Sequence, residues 1–291
     1  GETGGKDFIV AHHSAEVDKV AFASKGDRVA TAQADGLVRV WTLPRANPKG
    51  HLIASDPGPK VMRLDPERRH FVAVREPAWK AEIRTATICS AETGTPVGQT
   101  LELSGNLEDV ALSPGCRQAA LAFGAGDDDT TGFLEFRDIR TGRVHGRTPL
   151  ASAASSLAWD PNGDRIAAIC HSGQLLIACP GSNAPVTWAQ PLESAPMQVH
   201  PFVAFTPEGS SLISLTPAGA LEVREAATGQ LRYPALRAEP IGFWNFAVSR
   251  DGQILASTTR SGRVDVWNVQ TGVRQGDPLY HPGWVYRCSF S

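Results

Sequence analysis

The sharpest charge cluster in the chain is Gly126-Asp127-Asp128-Asp129-Thr130-Thr131-Gly132. Carboxylates in a glycine-bounded loop are hard oxygen donors of the kind that hold calcium or magnesium. The spacing does not match a twelve-residue calcium loop and no Glu closes it, so the stretch reads as a solvated, over-long hairpin loop. Cys170, His171 and Cys179 suggest softer ligands, but a Cys-His pair with a second Cys nine residues on (179 − 170 = 9) is not a zinc spacing. In a strand, adjacent side chains point to opposite faces, which makes Cys170 core and leaves His171 to a turn. His12-His13 offers imidazole donors, yet His13 reads better as a structural residue. Glu76-Pro77-Ala78-Trp79-Lys80 sets an aromatic ring beside a cation. That pairing suits a partner hot spot, and equally suits half-buried packing over its own sheet.

Catalytic constellations are absent from the sequence. It has no Gly-x-Ser-x-Gly elbow, no phosphate-binding Gly-rich loop before a helix, no His-Glu-x-x-His and no paired cysteines. A formal charge of −2 with a pI near 6.5 gives no global attraction to nucleic acid or acidic membrane. No apolar run approaches the ~18 residues of a membrane span, and no signal-like segment opens the chain. The five cysteines, Cys89, Cys116, Cys170, Cys179 and Cys288, are odd in number and lie mostly inside predicted strands, which reads as reduced, packed thiols in a cytosolic compartment.

The elements that would position any site are short strands. Phe22 to Trp41 contains two apolar runs, Val29–Thr31 and Leu37–Trp41, about an Asp35-Gly36 turn, with Val20–Phe22 before a Ser24-Lys25-Gly26-Asp27 turn. Asp-Gly between β-prone runs is the strongest short hairpin signal, because a type I′ turn needs φ > 0 at both central residues. Three such strands cannot bury themselves alone, so the unit should recur. It does: Phe246–Gly252, Ile254–Ser257 and Ser261–Trp267 match it turn for turn. Weaker copies are Met62–Arg69 with Phe71–Arg75 and Glu82–Ile88, Val110–Pro114 with Gly132–Ile139, Leu157–Gly163 with Ile166–Ile177, and Val203–Gly209 with Leu212–Val223. A Thr-Gly marker follows the third strand at 93, 141, 228 and 271, with steps of 141 − 93 = 48, 228 − 141 = 87 (two periods with one marker lost) and 271 − 228 = 43. A period in the mid-forties of strand, turn, strand, turn, strand is the signature of a β-propeller blade.

On these residues the chain resembles the WD-repeat β-propeller family over nearly its whole length. Trp41 and Trp267 hold the family's Trp position, followed by Thr42 and Asn268 rather than Asp; Phe136-Arg137-Asp138 is a blurred version. Asp35 is the clear turn Asp, and Ser172-Gly173, Ala218-Gly219 and Ser261-Gly262 stand in the corresponding turns. His13 occupies the His position of the first repeat and Gln33 stands where Ser is common. The family's buried His–Ser–Asp–Trp network is therefore complete in no blade. Trp41, Trp159 and Trp267 read as packing between blades.

The predicted fold is all-β: a β-propeller of four-stranded antiparallel blades, seven-blade type with the last blade incomplete, as one domain over residues 1–291. First strands fall near Val20, Met62, Val110, Leu157, Val203, Phe246 and Cys288. Outer strands are expected at Pro96–Leu103, Val144–Leu150, Leu231–Leu236 and Gly276–Tyr280. Trp284–Phe290 reads as the inner strand and Asp7–Val10 as the outer strand of a blade whose middle is missing. Residues 1–6 read either as a tag or as the remnant of a preceding repeat. The expectation is a truncated propeller or one portion of a longer array.

In this family, loops from outer to next inner strands and from second to third strands share one face, and the resemblance implies that this face binds partners. The partner-binding set expected there is Lys60, Trp79, Lys80, His171, His200, Phe243, Trp244, Arg260 and Trp284, with His12–Glu16, Asp127–Asp129 and His281 nearby. The function implied is a non-catalytic protein- or peptide-binding scaffold without cofactor or metal, binding neither nucleic acid nor membrane. It would be a portion of a larger bacterial signalling or regulatory protein, monomeric or self-associating through a strand edge. One competing reading is a propeller hydrolase, lactonase or metal-dependent enzyme using the channel mouth, where first-strand starts offer Asp18, Arg63, Asp109 and Asn245. Another is an assembly module that pairs through an unfinished blade, since open strand edges invite pairing.

Overall fold

The computed structural model describes residues 17–22, 28–33, 38–42, 51–54, 59–75, 83–124, 132–150, 152–181, 186–189, 199–238 and 242–290. They form two compact units, Gly1–Ser104 and Gly105–Ser291. The fold is all-β and built of antiparallel blades; the single-turn helix Pro114–Cys116 is the one helix among the described residues. None of the described helices is long and apolar enough to cross a membrane.

The first unit holds two four-stranded sheets, each ordered as it runs in sequence. One is β1 (Val17–Phe22), β2 (Arg28–Gln33), β3 (Val38–Thr42) and β4 (His51–Ala54). The other is β5 (Pro59–Leu64), β6 (His70–Arg75), β7 (Ile83–Ser90) and β8 (Leu101–Ser104). The second unit holds four sheets. Its first is β9 (Asn106–Leu112), β10 (Gln118–Gly124), β11 (Gly132–Asp138) and β12 (Val144–Leu150). Then come β13 (Ala154–Trp159), β14 (Ile166–Cys170), β15 (Leu175–Ala178) and β16 (Val186–Ala189). A three-stranded sheet follows, β17 (Phe202–Phe205), β18 (Ser211–Leu215) and β19 (Leu221–Glu225). Last are β20 (Asn245–Val248), β21 (Ile254–Thr258), β22 (Arg263–Asn268) and β23 (Leu279–Tyr280).

Several elements differ from the sequence reading. β10 lies in an alanine-rich stretch with weak strand propensity, and burial rather than propensity makes it a strand: Ala119, Ala120 and Ala122 are fully buried. Conversely, Trp284–Phe290 forms no strand, because none of the described residues pairs with it. It lies beside β21 all the same, with Cys288 Sγ 3.6 Å from the Ala256 carbonyl. Burial there pushes the Cys288 thiol up to about 11. The outer strand expected at Leu231–Leu236 is reduced to two bridges onto β19, Leu231 to Arg224 and Leu236 to Leu221. Cys89, Cys116 and Cys170 are buried as packed thiols should be, but Cys179 is exposed, since it falls in the turn past β15.

The repeat is written in its turns. After each inner strand from the second sheet onward, one side-chain oxygen accepts the backbone N–H four or five residues ahead. Asp65 takes Arg69 and His70, Ser113 takes Gln118, Asp160 takes Asp164 and Arg165, Thr206 takes Ser211 and Ser249 takes Ile254. Short polar side chains are selected because they replace a backbone acceptor in a tight turn. The Thr-Gly marker has a similar reason. Gly94, Gly142, Gly229 and Gly272 adopt φ of +67° to +75° and donate to the carbonyl four residues back. Only glycine enters that region without strain.

Within the second unit, consecutive blades are stitched along their inner strands. Leu157 N–H donates to Asp109 Oδ2 at 2.9 Å, and Val203 N–H donates to Ser156 Oγ at 3.4 Å. In the next blade the polar link gives way to the Phe202–Phe246 ring contact at 5.1 Å. Trp159 is 4% exposed, sets its ring edge against Phe136, and donates its indole N–H to the Ala111 carbonyl. Its burial between blades agrees with the sequence reading. Trp267 is half-buried against the last core and donates to Ser257 Oγ at 2.8 Å. At the outer edge, Trp188 packs over Gly229 and Tyr233 over Gly272, each an aromatic of one blade against the turn of the next.

Candidate functional site

The inner strands share an irregularity that matters for the site. In β1, β5, β9 and β13 the pairing register skips one residue, and the skipped residues are Asp18, Lys60, Glu108 and Ser155. Each stands two positions before the residue that opens the repeated apolar run (Val20, Met62, Val110, Leu157). A bulge of this kind takes a residue out of the ladder and re-aims it. In the last two repeats the same phase falls on Trp244, two before Phe246, and on Tyr286, two before Cys288.

Three segments converge at that end of the last blade. Trp244 N–H bonds the Thr258 carbonyl at 2.7 Å, bringing the entry to β20 against the end of β21. His281 N–H bonds the Gly262 carbonyl at 2.9 Å, bringing in the segment after β23. Gly262 has φ +83° and lies so close that a methyl there would be 2.3 Å from the His281 carbonyl oxygen, so the approach requires glycine. Arg260, exposed in the β21–β22 turn, lays its guanidinium over the Trp244 ring at 3.8 Å and stands 5.7 Å from the Trp284 ring. Tyr286 completes the group, 6.5 Å from Trp244 and 5.8 Å from Trp284. Trp284 is 61% exposed and Tyr286 55%. A cation over an aromatic face gains energy from the ring quadrupole, about 0.5–1 kcal/mol at an exposed site.

A second, smaller group draws on the corresponding end of three earlier blades. His171, in the β14–β15 turn, meets His200 edge to face at 6.3 Å and approaches Glu108 with Nε2 to Oε2 at 3.6 Å. Asn106 Nδ2 holds the other Glu108 oxygen at 2.6 Å. Ser152 and Ser172 share a hydroxyl contact at 2.9 Å, and Ser155 Oγ donates to the Pro201 carbonyl at 2.8 Å. His171 and Arg260 both stand two residues before the turn glycine, at Gly173 and Gly262.

Of the expected partner set, the structure therefore gathers Trp244, Arg260 and Trp284 into one cluster and His171 with His200 into another. Phe243 is corrected: it is fully buried, packed edge-on to Trp267 at 6.0 Å in the core of the last two blades, and presents nothing to solvent. Strand entry alternates direction, so of the Phe243-Trp244 pair only one ring faces out. Lys60 is the skipped residue of β5. Trp79, Lys80, His12–Glu16 and Asp127–Asp129 lie outside the described residues. Tyr286 was missed, although its place in the repeat phase, equivalent to Trp244, is visible in the sequence.

Among the described residues no three His, Cys, Asp or Glu side chains are grouped to hold a metal ion. Asp109 is fully buried, and its Oδ2 accepts the Leu157 N–H from the neighbouring inner strand. Cys170 is buried, which raises its thiol, and His171 lies in the turn, as strand alternation required.

No curated protein matches the chain. Residues 6–42 match the family model described as WD domain, G-beta repeat, and strands β1 to β3 lie inside that match. The strand-turn pattern of that unit recurs in every later blade, and with the match at residues 6–42 the array is consistent with the WD-repeat β-propeller family.

Proposed function

We propose that this chain is a non-catalytic scaffold that binds a protein or peptide through the loop end of its blades, as one propeller domain of a larger bacterial cytoplasmic signalling or regulatory protein. WD repeats typically mediate protein interactions. The observation that carries the reading is the cluster of Trp244, Arg260, Trp284 and Tyr286: two largely exposed aromatic rings, a third beneath an arginine, at the junction of three loops. Trp, Tyr and Arg are the residues in which interface energy concentrates, because they bury much area at small entropic cost. The mechanism is rigid display. Backbone bonds of 2.7 and 2.9 Å fix the loops before a partner arrives, so little ordering remains to oppose association.

Affinity capture from lysate tests it, comparing the chain with a Trp244→Ala/Trp284→Ala variant of unchanged melting temperature. The expected result is one identified protein retained by the parent and lost by the variant. Equal capture by both places the binding surface elsewhere, and capture of nothing by either removes support for a scaffold.

A further inference from the structure

We infer that Arg260 is a preoriented carboxylate fork, and that the partner engages this cluster through an Asp or Glu side chain flanked by an apolar residue. The inference rests on the scaffold reading and adds the chemistry of the ligand. Arg260 spends the face of its guanidinium on Trp244 at 3.8 Å. Its N–H groups, which lie in the guanidinium plane, have neither an acceptor nor an acidic partner among the described residues. Other arginines of the same unit contrast with it. Arg263 is spent on Asp265 at 2.8 Å, Arg165 bonds the Ala226 carbonyl and Asp160, and Arg224 bonds Glu222 and the Gly229 carbonyl. Arg260 is exposed, held by rings, and aimed at nothing in its own blade.

The surrounding segments carry no carboxylate. The three converging segments, residues 242–245, 259–262 and 281–287, carry Arg260, His281 and Arg287 and not one Asp or Glu. A ring-stacked guanidinium has lost side-chain freedom in advance, and its planar donors match a carboxylate in two parallel bonds. Aromatic neighbours exclude water from one side of that pair, which strengthens it. Trp284 and Tyr286 supply the apolar area for the flanking residue.

The test is selection of a random displayed peptide library on the intact chain, then titration of a selected peptide followed by tryptophan fluorescence. The expected peptides carry Asp or Glu beside an aliphatic or aromatic residue. Replacing that acid by its amide should weaken binding about tenfold or more. Arg260→Lys, with unchanged melting temperature, should cost a similar factor, because lysine keeps the charge but loses both fork and stack. Three results overturn the inference: selection of Lys- or Arg-rich peptides, which would mean the rings take the partner's cation in place of Arg260; selection of nothing; or acidic peptides indifferent to Arg260→Lys. Its failure is separable from that of the scaffold reading. A captured protein lost on Trp244→Ala/Trp284→Ala but retained by Arg260→Lys sinks the carboxylate fork alone.

Discussion

Asp138 shows how much one side chain contributes when it stands in for a backbone acceptor. Its Oδ1 takes both the hydroxyl and the backbone N–H of Thr141, at 2.6 and 2.7 Å, and closes the turn before Gly142. The Thr141 hydroxyl first, and then its N–H, hold the Asp138 carboxyl below its ordinary value. A depressed carboxyl stabilises the fold above its unfolded value, about pH 4, and loses that contribution as pH falls through the folded one. Asp138→Ala should therefore lower the melting temperature at pH 7 and do so by less as pH falls below about 4; an equal loss throughout would show that the carboxylate charge is irrelevant to the turn. At this scale the sequence was readable where residue type decides the turn, as with the Thr-Gly markers, and it named Trp244, Arg260 and Trp284, which the structure brings together. It was unreadable where direction decides. Phe243 and Trp244 are adjacent large aromatics in one loop, and only the entry geometry of β20 sends one inward and one out.

At the scale of the element, the blades are fixed by contacts between one blade's outer aromatic and the next blade's turn. Gly229 combines φ +75° with a wall: a methyl there would lie 2.7 Å from Trp188. Gly276 has a similar φ of +73° and nothing within 4 Å. Gly276→Ala should cost only the left-handed backbone penalty, about 1–2 kcal/mol, while Gly229→Ala should cost clearly more. Thermal unfolding of both variants, and of Gly229→Ala/Trp188→Ala, checks this. A double variant no better than additive would show that the indole is not the obstacle. Strand boundaries were legible wherever an apolar run met a turn signal: β12 spans Val144–Leu150 as expected. β10 was not, because alanines carry little strand signal and owe their state to neighbours that a local reading does not see. The skipped residues of β1, β5, β9 and β13 were hidden for another reason. A register is a relation between two strands, and no single stretch contains it.

In the second unit, hydrogen bonds link blades that follow one another: Asp109 with Leu157, Ser156 with Val203, Ala111 with Trp159. Stability in such an array is approximately a sum of blade terms and neighbour terms. Trp159→Phe removes the indole bond to Ala111 and should cost about 1–2 kcal/mol. Hydrogen exchange should then speed up in residues 106–124 and 154–170 and stay unchanged in 245–268. Uniform acceleration through all four sheets would instead make them one cooperative block. The period in the mid-forties made this architecture readable from the outset, since period depends on spacing and tolerates loss of individual motif residues.

The register skip has a consequence for how such a molecule changes over time. Asp, Lys, Glu and Ser occupy one equivalent backbone position in four successive inner strands. Pairing resumes on both sides through main-chain groups, which do not depend on what the skipped residue is. The strand ladder itself therefore places little constraint on residue type at that position, although Ser155 is also bonded to the Pro201 carbonyl and Glu108 to Asn106. Residue type there can change one blade at a time at little cost to the strand pairing on either side.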